Sequence, residues 1–181
     1  MTVEYLFIAI LSAILFASTM KVADLFNEHG LKGFRGVNII FGVFWGVFGA
    51  LLLLTDSTVA NIVFAMNIAF ITRGRLDFLN HQIATSIIII VFLFSTTFQP
   101  LLFLTFYIVF VVFGSLRDYI DKIFKQKGIL YYVNESMLLY YPIPTLIYSI
   151  VYNNYSVFII FLIFTISYDL TKYIAYKKGY K

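Results

Sequence analysis

The acids and bases of this chain gather in short runs whose spacings suit the handling of an anionic group. Lys21, Asp24 and Glu28 stand at i, i+3 and i+7, which is one face of a continuing helix, and His29 follows directly. Arg73, Asp77 and His81 are spaced i, i+4 and i+8, again one face of a helix. Arg117, Asp118 and Asp121 form a third run, and Asp169 with Lys172 a fourth. Carboxylates beside arginine and lysine are the parts of a Mg²⁺-assisted phosphate or diphosphate site. Hard oxygens take the cation, and guanidinium or ammonium groups take the phosphoryl oxygens. Asp24, Glu28, His29, Arg73, Asp77, His81, Arg117, Asp118, Asp169 and Lys172 are therefore the members of a candidate polar cup.

Each run also has a plainer reading. Arg117/Asp121, Asp118/Lys122 and Asp121/Lys125 are i,i+4 pairs that a solvated helix end would form for itself, and such pairs contribute little. Asp169 can lean on Lys172, with Tyr173 anchoring the helix at a membrane interface, or it can point inward to meet Asp77 or Asp24 around a shared cation or headgroup. The absence of cysteine removes thiolate catalysis and thiolate metal sites. His29 and His81 lack the paired-histidine spacing of a helical zinc motif, and there is no HExxH, GxSxG or glycine-rich phosphate loop. Asn154-Tyr155-Ser156 is formally a glycosylation sequon, but it abuts apolar segments on both flanks.

The elements that must position these groups follow from composition. Of 181 residues, 61% are hydrophobic and only 12% are charged, where a soluble domain is about half apolar and a quarter charged. Too little polar surface remains to cover such a chain in water. A membrane-embedded all-α bundle is expected, multi-pass in the cell membrane, as a single domain over residues 1–181. A span takes about 20 mostly apolar residues. Seven fit: Val3–Met20, Val37–Thr55, Thr58–Thr72, Ile83–Phe98, Pro100–Leu116, Ser136–Tyr152 and Ser156–Ala175. Pro142 and Pro144 interrupt the sixth, so six spans plus a kinked or re-entrant segment is the alternative. The first run has no basic residue ahead of it and is too long for a signal-peptide core, so it reads as a retained span.

Charge orients the array. Twelve of the 13 lysines and arginines fall in alternate connections or the C-terminal tail, Lys172 lies near the tail end of the seventh span, and none lies in the TDST, FQP or NNY turns on the other side. Basic residues mark the cytoplasmic face, which puts the N-terminus outside and the C-terminus in the cytosol. The net charge of +4 then reads as a rim facing anionic lipid headgroups rather than as a nucleic-acid surface. The third span reaches only about 22 Å before Arg73, so its arginines either snorkel outward or line a cavity open to the cytosol. Arg117–Glu135 is expected to prolong the fifth span as a helix that stops at Lys127-Gly128.

Gly42, Gly46 and Gly49 share one face of the second span. That stripe serves either close helix packing or a lipid or prenyl chain lying in the groove. The pattern Lys21-x-x-Asp24 with Gly30-Leu-Lys32, the glycine-marked second span, Arg75-Leu-Asp77 with His81, and Tyr168-Asp169-Leu170 resembles a group of small polytopic archaeal membrane proteins. The resemblance implies no activity, only that the cup positions are a shared feature.

Three functions are compatible with these features. One is a cytosolic-leaflet protein that binds or processes an anionic lipid or isoprenoid phosphate, with Mg²⁺ as the metal such a site would use. The second is a small transporter or channel for a neutral solute or lipid, because the midplane offers only Asn67, Thr105 and Ser149. The third is an assembly or partner-binding protein without catalysis. Convergence of the polar residues favours the first.

Overall fold

The computed structural model describes residues 2–124, 134 and 136–180, and every regular element among them is helical. Seven α-helices have bounds among the described residues: α1 (Val3–Glu28), α2 (Val37–Leu53), α3 (Ser57–Thr72), α4 (Leu79–Ser95), α5 (Pro100–Phe124), α6 (Pro142–Tyr152) and α7 (Tyr155–Lys177). A 3₁₀ turn, Met137–Leu139, precedes α6. Three helices, α1, α5 and α7, are long and apolar enough to cross a membrane, and the other four are shorter apolar helices. The outward faces are apolar, with Phe94, Leu101 and Val151 largely exposed. An apolar exterior around an all-helical interior fits a transmembrane protein.

The helix ends follow local chemistry. Asp56 caps α3, its Oδ1 accepting the backbone N–H groups of Thr58 and Val59 at 2.8 and 3.1 Å. Helix α1 runs unbroken past its apolar part to Glu28, so Lys21, Asp24 and Glu28 do share a helical face; Gly30 then turns the chain at φ +71°. The expected continuity from Arg73 to His81 is not found. Helix α3 stops at Thr72, Gly74 adopts φ +67°, and α4 begins only at Leu79. Arg73, Asp77 and His81 therefore meet by way of a turn, not along one helix. The interrupted sixth segment is an 11-residue helix beginning at Pro142, about 16 Å long, because proline is accepted in a first turn but not within a helix. The fifth helix does extend past Leu116, to Phe124; Lys125, Lys127, Gly128 and Glu135 lie outside the described residues.

The glycine stripe of α2 is covered by α4. A Cβ on Gly42 would come within 2.7 Å of the Asn80 backbone oxygen, one on Gly46 within 3.0 Å of the Ala84 Cα, and one on Gly49 within 2.7 Å of Ile88. Close backbone approach occupies that face and leaves no groove there for a prenyl chain. Helix α1 packs on both α2 and α7, and α3 on α5. Side-chain amides add polar joints. Asn27 donates to Asn80 at 2.7 Å and accepts from Asn38 at 3.3 Å, tying α1, α4 and α2 together. The polar residues expected at the midplane are bonded within the bundle: Asn67 accepts from Thr85 at 3.1 Å, Thr105 donates to the Leu101 carbonyl at 2.8 Å, and Ser149 accepts from the Phe158 N–H at 3.3 Å.

Candidate functional site, a charged cavity at one end of the bundle

The C-terminal turns of α1, α3, α5 and α7 meet the start of α4 and the Met137–Tyr141 segment around a cavity of about 640 Å³. Its wall carries five cations, Lys21, Arg73, Arg75, Arg117 and Lys172, and five carboxylates, Asp24, Glu28, Asp77, Asp118 and Asp121, with His29 and His81. The floor is apolar and aromatic, including Met20, Trp45, Met66, Phe110, Tyr140 and Tyr141. Nine of the ten cup residues named from sequence thus line one space. The tenth, Asp169, does not.

The misplacement of Asp169 has a geometric cause. Tyr168, Lys172 and Tyr176 all line the cavity, at i, i+4 and i+8 of α7, and one residue along a helix turns by about 100°. Tyr168 takes the inward position and carries Asp169 off the wall. The group facing Asp24 is accordingly a phenol: the Tyr168 hydroxyl donates to Asp24 Oδ2 at 3.0 Å. The Lys21 ammonium lies 5.4 Å from the same ring's centroid and 3.3 Å from His29 Nε2. That Tyr168-Lys172-Tyr176 spacing was available in the sequence, but tyrosines in an aromatic-rich chain give no distinguishing signal.

The cavity has two chemically different halves. In the first, His81 stands between two acids, with Nε2 3.2 Å from Asp24 Oδ1 and Nδ1 3.4 Å from Asp77 Oδ1. Nδ1 also meets the Arg75 carbonyl at 3.2 Å. His81 lies ahead of the apolar run that begins at Ile83. Burial alone would lower its pKa, but contact with Asp24 and the Asp24 charge, then the Arg75 carbonyl and Asp77, together outweigh burial and raise it. The indole of Trp45 packs edge-on against this imidazole, 5.4 Å between centroids.

The second half is built on arginine. Arg73 donates to Asp118 Oδ2 at 2.8 Å and to the Gly114 carbonyl at 2.6 Å, and Arg75 pairs with the other Asp118 oxygen. Two guanidiniums on one carboxylate overturn the expectation that Asp118 is satisfied along its own helix by Lys122. The cross-helix pair forms because Gly114 has no side chain: a Cβ there would overlap the Arg73 guanidinium. Asp121 accepts from Asn134 at 2.9 Å, and the Arg117 guanidinium lies 5.8 Å from the Tyr140 ring centroid. Gly114, Asn134, Trp45 and the tyrosines are the site residues that sequence spacing did not reveal. None belongs to a charged run.

Among the described residues, no three His, Asp or Glu side chains are grouped as a metal ion requires. The carboxylates are spent instead on guanidinium, imidazole, amide and phenol partners. Among the described residues, fold and site together define a helical protein with an apolar exterior and a charged, aromatic-floored cavity at one end. Compared with protein-family models, curated proteins and solved structures, the chain matches none.

Proposed function

We propose that this cavity binds a phosphate-bearing amphiphile at the cytosolic leaflet, within a multi-pass bundle whose N-terminus is outside. The observation that carries the reading is Asp118 shared by Arg73 and Arg75, with Arg117 and Lys172 in the same wall. One carboxylate cannot saturate two guanidiniums, each of which has five donors in a planar fork suited to phosphate. The aromatic and methionine floor accepts the start of a hydrocarbon chain. The two halves divide the work: arginine takes the head, and the His81 group holds the opposite wall.

Lys21, Asp24, Arg75, Asp77, His81 and Tyr168 border the same space. No observation favours a transport path, because the midplane polar groups Asn67, Thr105 and Ser149 are bonded within the bundle. The donor set assigns the head to cationic side chains, and a Mg²⁺ ion would enter as a companion of a diphosphate rather than on a protein cluster. The test is binding of oleyl phosphate to the full chain in a neutral detergent, by native mass spectrometry and calorimetry. Wild type should bind it, and Arg75→Gln, at a half-exposed position, should weaken binding without altering the melting temperature. Absence of binding in wild type, or equal binding in the variant, would overturn the reading.

A further inference from the structure

We propose a second lipid site outside the cavity, in a groove between the end of α3 and α5, which holds an anionic phospholipid of the cytosolic leaflet. The inference rests on the leaflet placement above and not on what the cavity binds. The groove encloses about 600 Å³. Tyr107, Val111, Ser115, Tyr119 and Lys122 line it from α5, at i, i+4, i+8, i+12 and i+15, and Thr72 and Arg73 line it from the end of α3. None of the five α5 residues lines the charged cavity.

The residues follow one another in the order of a lipid's own parts. Tyr107, stacked on Phe103, and Val111 offer ring and aliphatic surface to a hydrocarbon chain. Ser115, Tyr119 and Lys122 come next toward the charged end. All three are exposed donors, and none has a hydrogen-bond or ion-pair partner among the described residues. Their polar neighbours are engaged: Thr72 donates to the Ala69 carbonyl at 3.2 Å, and Asp121 accepts from Asn134. Lys122 lacks a carboxylate for a specific reason. Asp118, its neighbour at i−4, gives one oxygen to Arg73 and the other to Arg75. The groove therefore holds Arg73, Lys122 and an acid already spent on guanidinium, which leaves the ammonium as surplus positive charge. Depth agrees with this reading. From Pro100 to Lys122, α5 rises about 33 Å, just past about 30 Å of hydrocarbon, so the ammonium stands where lipid phosphates lie. A head of net negative charge matches that surplus, whereas a choline head would bring another cation beside it.

The experiment is native mass spectrometry of the full chain in neutral detergent with equimolar palmitoyl-oleoyl phosphatidylglycerol and phosphatidylcholine. Wild type should retain the glycerol lipid about fivefold over the choline lipid, the ratio one cation near a membrane surface supplies. Lys122→Gln should lose that preference and Lys122→Arg should keep it. Lys178→Gln, at an exposed position outside the groove, should keep it as well, and so should Lys172→Ala, which alters only the cavity. Equal retention of the two lipids by wild type would overturn the proposal. So would an equal loss in Lys178→Gln, which would mark attraction to net charge alone. A loss in Lys172→Ala but not in Lys122→Gln would place the lipid in the cavity and overturn it too. Failure of oleyl phosphate to bind, beside a preference that depends on Lys122, would remove the cavity reading and leave this site standing.

Discussion

Replacing Gly42 with alanine should destabilise the bundle although alanine is the better helix former. In an exposed helix the exchange would favour folding by about 1 kcal/mol. Here the new methyl would lie 2.7 Å from the Asn80 carbonyl oxygen and Cβ and 2.8 Å from its Cα, against ordinary contacts of about 3.4 Å or more. Two of those atoms are backbone, so no rotamer change relieves the overlap and α2 must separate from α4. Overpacking of this kind costs about 1–3 kcal/mol, with the upper end expected where backbone must move. The shift also disturbs the 2.7 Å bond from Asn27 to Asn80, worth about 1 kcal/mol. Net destabilisation of about 1–3 kcal/mol remains, or a fall in melting temperature of about 3–10 °C for a chain of this size. The assay is thermal unfolding in detergent, with Val43→Ala as control, since Val43 faces outward on the same helix and should change stability by less than about 0.5 kcal/mol. A Gly42→Ala protein melting at or above wild type would refute close α2–α4 contact at this point.

Three further outcomes are expected. Asp169→Asn should leave oleyl phosphate affinity unchanged while Lys172→Ala weakens it, because only the second residue lines the cavity; calorimetry showing the reverse would restore Asp169 to the site. Since the folded-state pKa of His81 is raised above 6.5, its charge contribution should be full below about pH 6.5 and lost as pH rises through the folded value. Stability should therefore decline from neutrality upward, and a His81→Gln protein with the same decline would remove His81 as its source. Single cysteines at Asp56 and Asn154 should react with an impermeant reagent in sealed right-side-out vesicles, and cysteines at Lys32 and Lys178 should not; labelling at Lys178 would reverse the proposed orientation.

Much of the architecture was legible in the linear chain. Apolar run length and the breaks between runs anticipated where helices lie, because burial of backbone polar groups in an apolar setting leaves helix as the local solution. The i, i+3, i+7 spacing of Lys21, Asp24 and Glu28 carried over directly, since α1 continues unbroken through them. So did the covered face of Gly42, Gly46 and Gly49, where lack of a side chain is itself the signal.

What the chain alone could not decide is which groups pair across helices and which side of α7 faces in. Local spacing suggested that Asp118 belongs with Lys122, yet the turn after α3 brings Arg73 and Arg75 to it, and Gly114 makes the room. Local spacing likewise joined Arg73 to His81 through one helix, whereas Gly74 turns the chain and contact is made through the Arg75 carbonyl and Asp77. Asp169 and Tyr168 differ by about 100° of helix rotation, and nothing within α7 says which of the two is inward. That choice is made by the packing of α7 on α1, which sets Tyr168 against Asp24 across 144 residues of chain. Periodicity reports the faces a helix has; the neighbours that close on each face are a property of the folded bundle alone.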